Sequence, residues 1–261
     1  MKKRICTLLL ALCLTLGLLP AAAQAAGDGS GTFDTVRWTL DADGGLTVSG
    51  TGDLPDSAFA GRTDIVTVTF TGQVARIGRS AFAGCTQLRR VDGFGAVTCV
   101  MSQAFAGCTA LTELAVPGTV AEIGTGAFSA CTGLTAVTLA PGVRSLGAYA
   151  FAACTALRRI DLPDGMTLLG SGLFSGCTAL TELPLPDDVA WVEPRPCENC
   201  TALQNIVLPA TMTEVPRGLL RGCTGLRRVT LQGAVTAVGN GAFAGCDALA
   251  DVNAYIPSKM D

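Results

Sequence analysis

The chain has 261 residues, with 18 Lys and Arg, 21 Asp and Glu, no His and a formal net charge of −3. At 49% hydrophobic and 15% charged it is too apolar to stay unfolded, and it has no basic excess with which to grip nucleic acid. The absence of His removes the usual general base, the usual pH switch and the commonest metal ligand, while aromatics at 5% leave the core to aliphatic side chains.

Residues 1–25 read as a secretory signal peptide. Lys2, Lys3 and Arg4 supply the positive start, residues 5–19 are uncharged and largely apolar, and Pro20 ends the run. Ala23-Gln24-Ala25 has the small-x-small form of a cleavage site. The run is shorter than the ~20 apolar residues of a spanning helix, and no later run approaches that length. No membrane span is therefore expected after cleavage. The mature chain is expected outside the cell, secreted or held at the surface.

Residues 26–57 read as a linker followed by a β-hairpin cap. Residues 27–31 have the composition of a flexible connection. Residues 36–40 alternate apolar and polar, Asp43-Gly44-Gly45 turns, and residues 46–48 alternate again. Asp-Gly between alternating runs is a strong hairpin signal.

Residues 58–261 form a repeat. Cys85, Cys108, Cys131, Cys154, Cys177, Cys200, Cys223 and Cys246 recur every 23 residues without insertion or deletion. Leu follows each Cys at the third place, from Leu88 to Leu249, and an apolar residue follows three places further on. Gly78, Gly124, Gly147, Gly170 and Gly239 end a second apolar segment. Phe82, Phe105, Phe128, Phe151, Phe174 and Phe243 each stand three places before a column Cys. An earlier, degenerate unit has Phe59 in phase and Arg62 at the Cys position. A fixed period of this length means stacked supersecondary units. Each unit reads as two short strands and one compact helical or 3-10 turn. Neither piece buries its apolar residues alone, and stacking gives one continuous core. The expected fold is a β-rich, right-handed solenoid of parallel short strands, extending by ~4.8 Å per unit. The Cys and Phe columns are its interior. Stacked side chains run parallel near that same ~4.8 Å repeat, wider than the usual ~3.8 Å of a disulfide, so the column cysteines are expected mostly as free thiols.

The pattern Cys-Thr-x-Leu-x-x-Val-x-Leu-Pro, followed by Val-x-x-Ile-Gly-x-x-Ala-Phe-x-x-Cys, resembles the BspA-like class of bacterial leucine-rich repeats. The resemblance covers roughly residues 58–257. The segment Trp-Thr-Leu to Gly-x-Leu-Thr-Val-Ser-Gly is similar to the lead-in found before such repeats. What it implies is a leucine-rich repeat fold. Members are mostly exported or surface proteins, some implicated in adhesion to host proteins or other cells, which implies a binding role.

Little in the chain suggests catalysis. Cys197 and Cys200 form a single Cys-x-x-Cys, without the second pair or His of a zinc site, and read as structural. Asp161, Asp164, Asp187 and Asp188 lie at turns, where Asp is common for backbone reasons. No cofactor or metal is expected. Arg89-Arg90, Arg158-Arg159 and Arg227-Arg228 recur every third unit, and Arg90 is expected to face Glu113 and Arg159 to face Glu182, pairs that contribute roughly 0.2–1 kcal/mol each.

The irregular unit is 177–199, where the Gly and Ala-Phe are lost. Trp191, between the inward positions Val189 and Val192, is expected to point partly outward, with Leu168 one unit earlier in the same column and Glu214 one unit later. These three residues are the candidate contact surface. The last unit runs Leu249, Val252, Ala254, Ile256 and Pro257 without a covering segment like the amino-terminal hairpin. Such an edge either docks a partner, for example a second copy end to end, or marks a piece of a longer surface protein. The functional expectation is a non-enzymatic binding surface for an extracellular protein or glycan, the alternative being a structural spacer.

Overall fold

The computed structural model describes residues 29–254, apart from residues 167, 190 and 191. The expected signal peptide and Trp191 lie outside the described residues.

Three strands open the fold: β1 (Ser30–Phe33), β2 (Val36–Leu40) and β3 (Gly45–Leu54), with β2 antiparallel to both neighbours. The expected hairpin turn is held by the Asp41 carboxylate, which accepts from the N–H groups of Asp43 (3.0 Å) and Gly45 (2.7 Å). β1 differs from expectation, because Ser30 and Gly31 stand in the segment read as linker. Gly31 packs against the Trp38 indole so closely that a Cβ there would lie 2.8 Å from the ring. The glycine that suggested flexibility is instead a site of close approach. β3 turns the corner into the solenoid. Its first residues pair in parallel with Thr67–Phe70 and its last with Gln73–Ile77, the register shifting between Gly52 and Asp53. Gly50 and Gly52 make the bend at φ values of 93° and 100°.

The repeats then stack as a solenoid with two parallel ladders. In the first, Val137 lies opposite Leu114 and Ile160; in the second, Leu146 lies opposite Ile123 and Leu169. The alternating pattern of these short strands puts every second side chain inside. The third side corrects the expected helical or 3-10 turn. Among the described residues it contains neither. It is a run of overlapping β-turns, in which Ala81 donates to the Gly78 carbonyl (3.3 Å), Ala83 to Ser80 (3.0 Å) and Cys85 to Phe82 (3.1 Å). Ser80 (φ 52°) and Gly84 (φ 73°) break the helical conformation. Their N–H groups, with that of Phe82, instead donate to the next unit at Ser102 (3.0 Å), Ala106 (2.7 Å) and Ala104 (2.7 Å). The turns thus form a third ladder along the stack.

The phenylalanines stack inside it. Phe82, Phe105 and Phe128 lie nearly parallel, with ring centroids 5.0 and 5.2 Å apart. Phe33 and Trp38 meet Phe59 edge-on, both at 5.6 Å, and so attach the cap to the column. Arg62 replaces Cys in this first unit. Its guanidinium lies 5.6 Å from the Trp38 ring and pairs with Asp64 (2.5 Å). The column lapses at Cys197 and Leu220, and Phe243 is only partly buried. In the place before the aromatic position, where most units have a buried Ala, as at Ala104, Ala127 and Ala150, Leu173 and Leu219 stand buried, beside Phe174 and Leu220. The glycine column has a different cause. A Cβ on Gly147 would come within 2.7 Å of the Gly124 backbone, so a side chain fits there only if the units shift; Met101 stands at the equivalent place one unit before Gly124.

Candidate functional site

Both strand ladders stop at the irregular unit. The first, interrupted once before between Arg90–Val91 and Glu113–Val116, runs to Arg159–Asp161 and resumes at Asn205–Leu208. The second runs unbroken to Leu168–Leu169 and resumes at Glu214–Val215, so unit 177–199 is where both stop together. Along its strands, unit 177–199 meets the preceding unit through isolated bridges, Arg159 with Glu182 and Leu169 with Val192. Along the turns, Gly172, Phe174 and Gly176 donate to the carbonyls of Pro194 (3.2 Å), Pro196 (2.7 Å) and Glu198 (2.8 Å). Pro184 and Pro186 in Leu183-Pro-Leu-Pro explain the loss in the first ladder, because neither has an N–H to donate. Between this unit and the next, the backbone bonds among the described residues belong to the turn ladder. Arg195 donates to Arg217 (2.9 Å), Cys197 to Leu219 (3.2 Å) and Asn199 to Arg221 (2.7 Å). Side chains add to them, with the Thr211 hydroxyl donating to the Asp187 carbonyl (2.6 Å). The solenoid therefore has a seam, open along its sheets and closed along its turns.

Two clefts lie on that seam. The first, of about 320 Å³, has Leu183, Leu185, Ile206 and Val207 among its apolar walls and Arg159, Glu182, Asp187, Asn205 and Gln232 as its polar groups. The second, of about 540 Å³, is bordered by Val189, Val192, Met212 and Val238, with Glu214, Arg217 and Thr213 as polar groups. Val207 in the first cleft is 45% exposed and Val238 in the second is 57% exposed. Few large apolar side chains are so open elsewhere among the described residues; Tyr149 and Val252 are the others.

The expected contact residues divide between these surroundings. Glu214 is exposed and lines the second cleft, where Val192 from the irregular unit is half-buried. Leu168 is half-buried, pairs with Ser145 and lies outside that cleft's lining. Val207 and Val238 were not singled out by sequence, although Val207 stands in an outward strand column that also holds Ala115, Thr138, Asp161, Thr230 and Asn253.

The charges near the first cleft are mutually engaged. Arg159 pairs with Asp161 (2.7 Å) and with Glu182, as expected for the latter. Arg90 pairs instead with Asp92 (2.5 Å), two residues along the same strand face, rather than across to Glu113. Asp188 accepts from the Gly165 N–H (2.8 Å), a turn role consistent with its position.

The ten described cysteines are unbridged in this structure. Burial pushes Cys85 and Cys177 up to about 12. Cys99, outside the column, is more exposed, yet burial and the Glu122 carboxylate raise it too. Among the described residues no three Cys, Asp or Glu side chains gather as a metal cluster, and no helix is long and apolar enough to cross a membrane.

The family model described as BspA type leucine rich repeat region matches residues 52–177 and 144–260. Among solved structures, the chain is similar to the T. pallidum leucine-rich repeat protein TpLRR, with 24% identity over 84% of this chain and 90% of that one, at a TM-score of 0.60. It is also similar to a leucine rich cell surface protein from Faecalibacterium prausnitzii, with 19% identity, coverage of 90% and 97%, and a TM-score of 0.36. The pneumococcal vaccine antigen PcpA gives 13% identity, coverage of 90% and 89%, and a TM-score of 0.46. At these identities the TpLRR likeness bears on the fold alone. No curated protein matches the chain.

Proposed function

Because the chain belongs to the BspA-type leucine-rich repeat family, we propose that it is a non-enzymatic interaction scaffold, exported and displayed or released outside the cell, whose partner sits at the seam beside unit 177–199. The observation that carries this reading is the coincidence of features at one unit: both ladders stop there, and two clefts open there, each with a strongly exposed valine. An apolar floor with a polar rim is the usual anatomy of a contact surface. In this reading Trp191, Leu168 and Glu214 belong to the second face of the same surface, and the partner is an extracellular protein or glycan. The last described strand, Asp251–Ala254, offers a second contact: it pairs with Arg228–Leu231, and Val252 beside it is 49% exposed, which suits end-to-end association with another copy.

The test is capture with the purified chain from extracellular matrix proteins and a glycan array, followed by measurement of any retained ligand against the double variant L168S/W191S. Weaker binding with an unchanged melting curve supports the reading. Equal affinity removes Trp191 and Leu168 from the contact surface, and no retained ligand of either class favours the spacer role.

A further inference from the structure

Two buried thiols stand in a relationship that the other units lack. Elsewhere the residue three places before the column position is Phe, or Leu at Leu220; in unit 177–199 it is Cys197, three places before Cys200. The two close one β-turn, with the Cys200 N–H donating to the Cys197 carbonyl (3.4 Å). Such a turn holds its end Cα atoms within about 7 Å, and a disulfide needs roughly 4.4–6.8 Å. Both side chains are buried in the same interior. In most other turns an aromatic ring occupies the place beside the column thiol, and here a second thiol does. This turn is also the one that carries the backbone ladder across the seam, through the Arg195, Cys197 and Asn199 N–H groups.

We propose that Cys197 and Cys200 are an oxidisable pair that closes into a disulfide as the chain folds and braces the seam on its hydrogen-bonded side. Two S–H bonds break and one S–S bond forms. The two electrons reduce the S–S bond of an external disulfide oxidant to two thiols, which take up the two protons. In the cell this oxidant requires the exported location proposed above; the chemistry itself does not.

The bond forms before the turn is buried. In the folded chain, contact with the Cys197 thiol and then burial hold Cys200 well above its ordinary pKa, which leaves little thiolate to attack. In the unfolded chain both thiols ionise normally and only two residues separate them. Cys177 and Cys223 are each 23 residues from Cys200, a larger loop with a larger closure cost. In the folded chain the Cys200 thiol donates to the Phe174 carbonyl (3.2 Å) and the Cys223 thiol to the Cys197 carbonyl (3.1 Å). A bridge between Cys197 and Cys200 gives up the first of these bonds, and one between Cys200 and Cys223 gives up both.

The test is refolding of the reduced, denatured chain in mixed reduced and oxidised glutathione, followed by acid quench, alkylation in denaturant and mass spectrometry. The peptide bearing residues 197 and 200 is expected to lack both alkyl groups and to weigh two hydrogens less, while Cys108, Cys131 and Cys154 are alkylated. C197F, which refills the aromatic column, and C197A, which only removes the thiol, are both expected to leave Cys200 alkylated. Alkylation of both Cys197 and Cys200 in the unaltered chain overturns the proposal, as does a bridge from Cys200 to Cys177 or Cys223. Neither result depends on whether a partner binds at the seam.

Discussion

The Cys131 thiol donates to the Phe105 carbonyl, 3.2 Å away in the preceding unit. The same bond joins Cys85 to Phe59 and recurs along the stack to Cys246 and Leu220. It persists where Phe is lost, as from Cys223 to Cys197, because the acceptor is backbone. This explains the choice of cysteine. The site is buried and apolar, yet it faces a carbonyl with a lone pair to spare, and a thiol is a small hydrophobe with a weak donor.

Alkaline pH tests that arrangement. Cys85 and Cys177 are pushed up to about 12 by burial, from an ordinary value near 9. The unfolded chain releases these protons first, so the stabilisation is complete below about pH 9 and is lost as pH rises towards 12. Each thiol contributes a slope of about 1.4 kcal/mol per pH unit in that window. The urea midpoint of the unaltered chain is expected to fall steeply above about pH 9. C85A/C177A is expected to be less stable at neutral pH but to show a shallower alkaline decline. Parallel declines would mean that these thiols are not held neutral by the fold.

Phe128 lies 5.2 Å from Phe105 and 5.5 Å from Phe151, in the middle of the aromatic stack. Phe128→Ala is expected to cost about 3–5 kcal/mol in denaturant unfolding. Phe243→Ala, at a partly buried position past the lapse in the column, is expected to cost less than half as much. Equal losses would show that the stack is not the source of the stability.

Gly147 has no left-handed φ to protect, so its role is spacing. Gly147→Ala places a Cβ against the Gly124 backbone at 2.7 Å, where no flexible side chain can yield. The expected cost is about 1–3 kcal/mol, from overpacking. Gly61→Ala, where a Cβ meets nothing within 4 Å but φ is 74°, separates strain in the chain from crowding between units. A melting temperature unchanged by Gly147→Ala would refute the crowding argument.

Much of the fold was legible because its columns are periodic. Cys and Phe at a constant spacing announce the stack, and the alternation around Val137 or Leu114 announces the strands. The turn ladder was not read, although glycine marks part of its left-handed columns, as at Gly84, Gly107, Gly126 and Gly172; Gln103, Tyr149 and Arg195 in the same conformation hid the pattern. β1 was hidden by Gly31, whose small size signals a loop unless the Trp38 ring above it is known. The irregular unit was legible as a site because it breaks the pattern. The clefts beside it were not, because Val207 and Val238 look like ordinary strand residues until the neighbouring ladder is seen to stop.

The seam as a contact surface is tested most directly by charge placed in each cleft. V207D and V238D put a carboxylate on the exposed apolar wall of the first and second cleft, and T138D does the same on a continuous stretch of the strand ladder. Affinity for the captured partner is measured for all three by titration calorimetry. At least one seam variant is expected to bind at least ~10-fold more weakly, a loss of about 1.4 kcal/mol, while T138D binds as the unaltered chain does. Affinities unchanged in V207D and V238D, or lowered equally by T138D, would contradict the account.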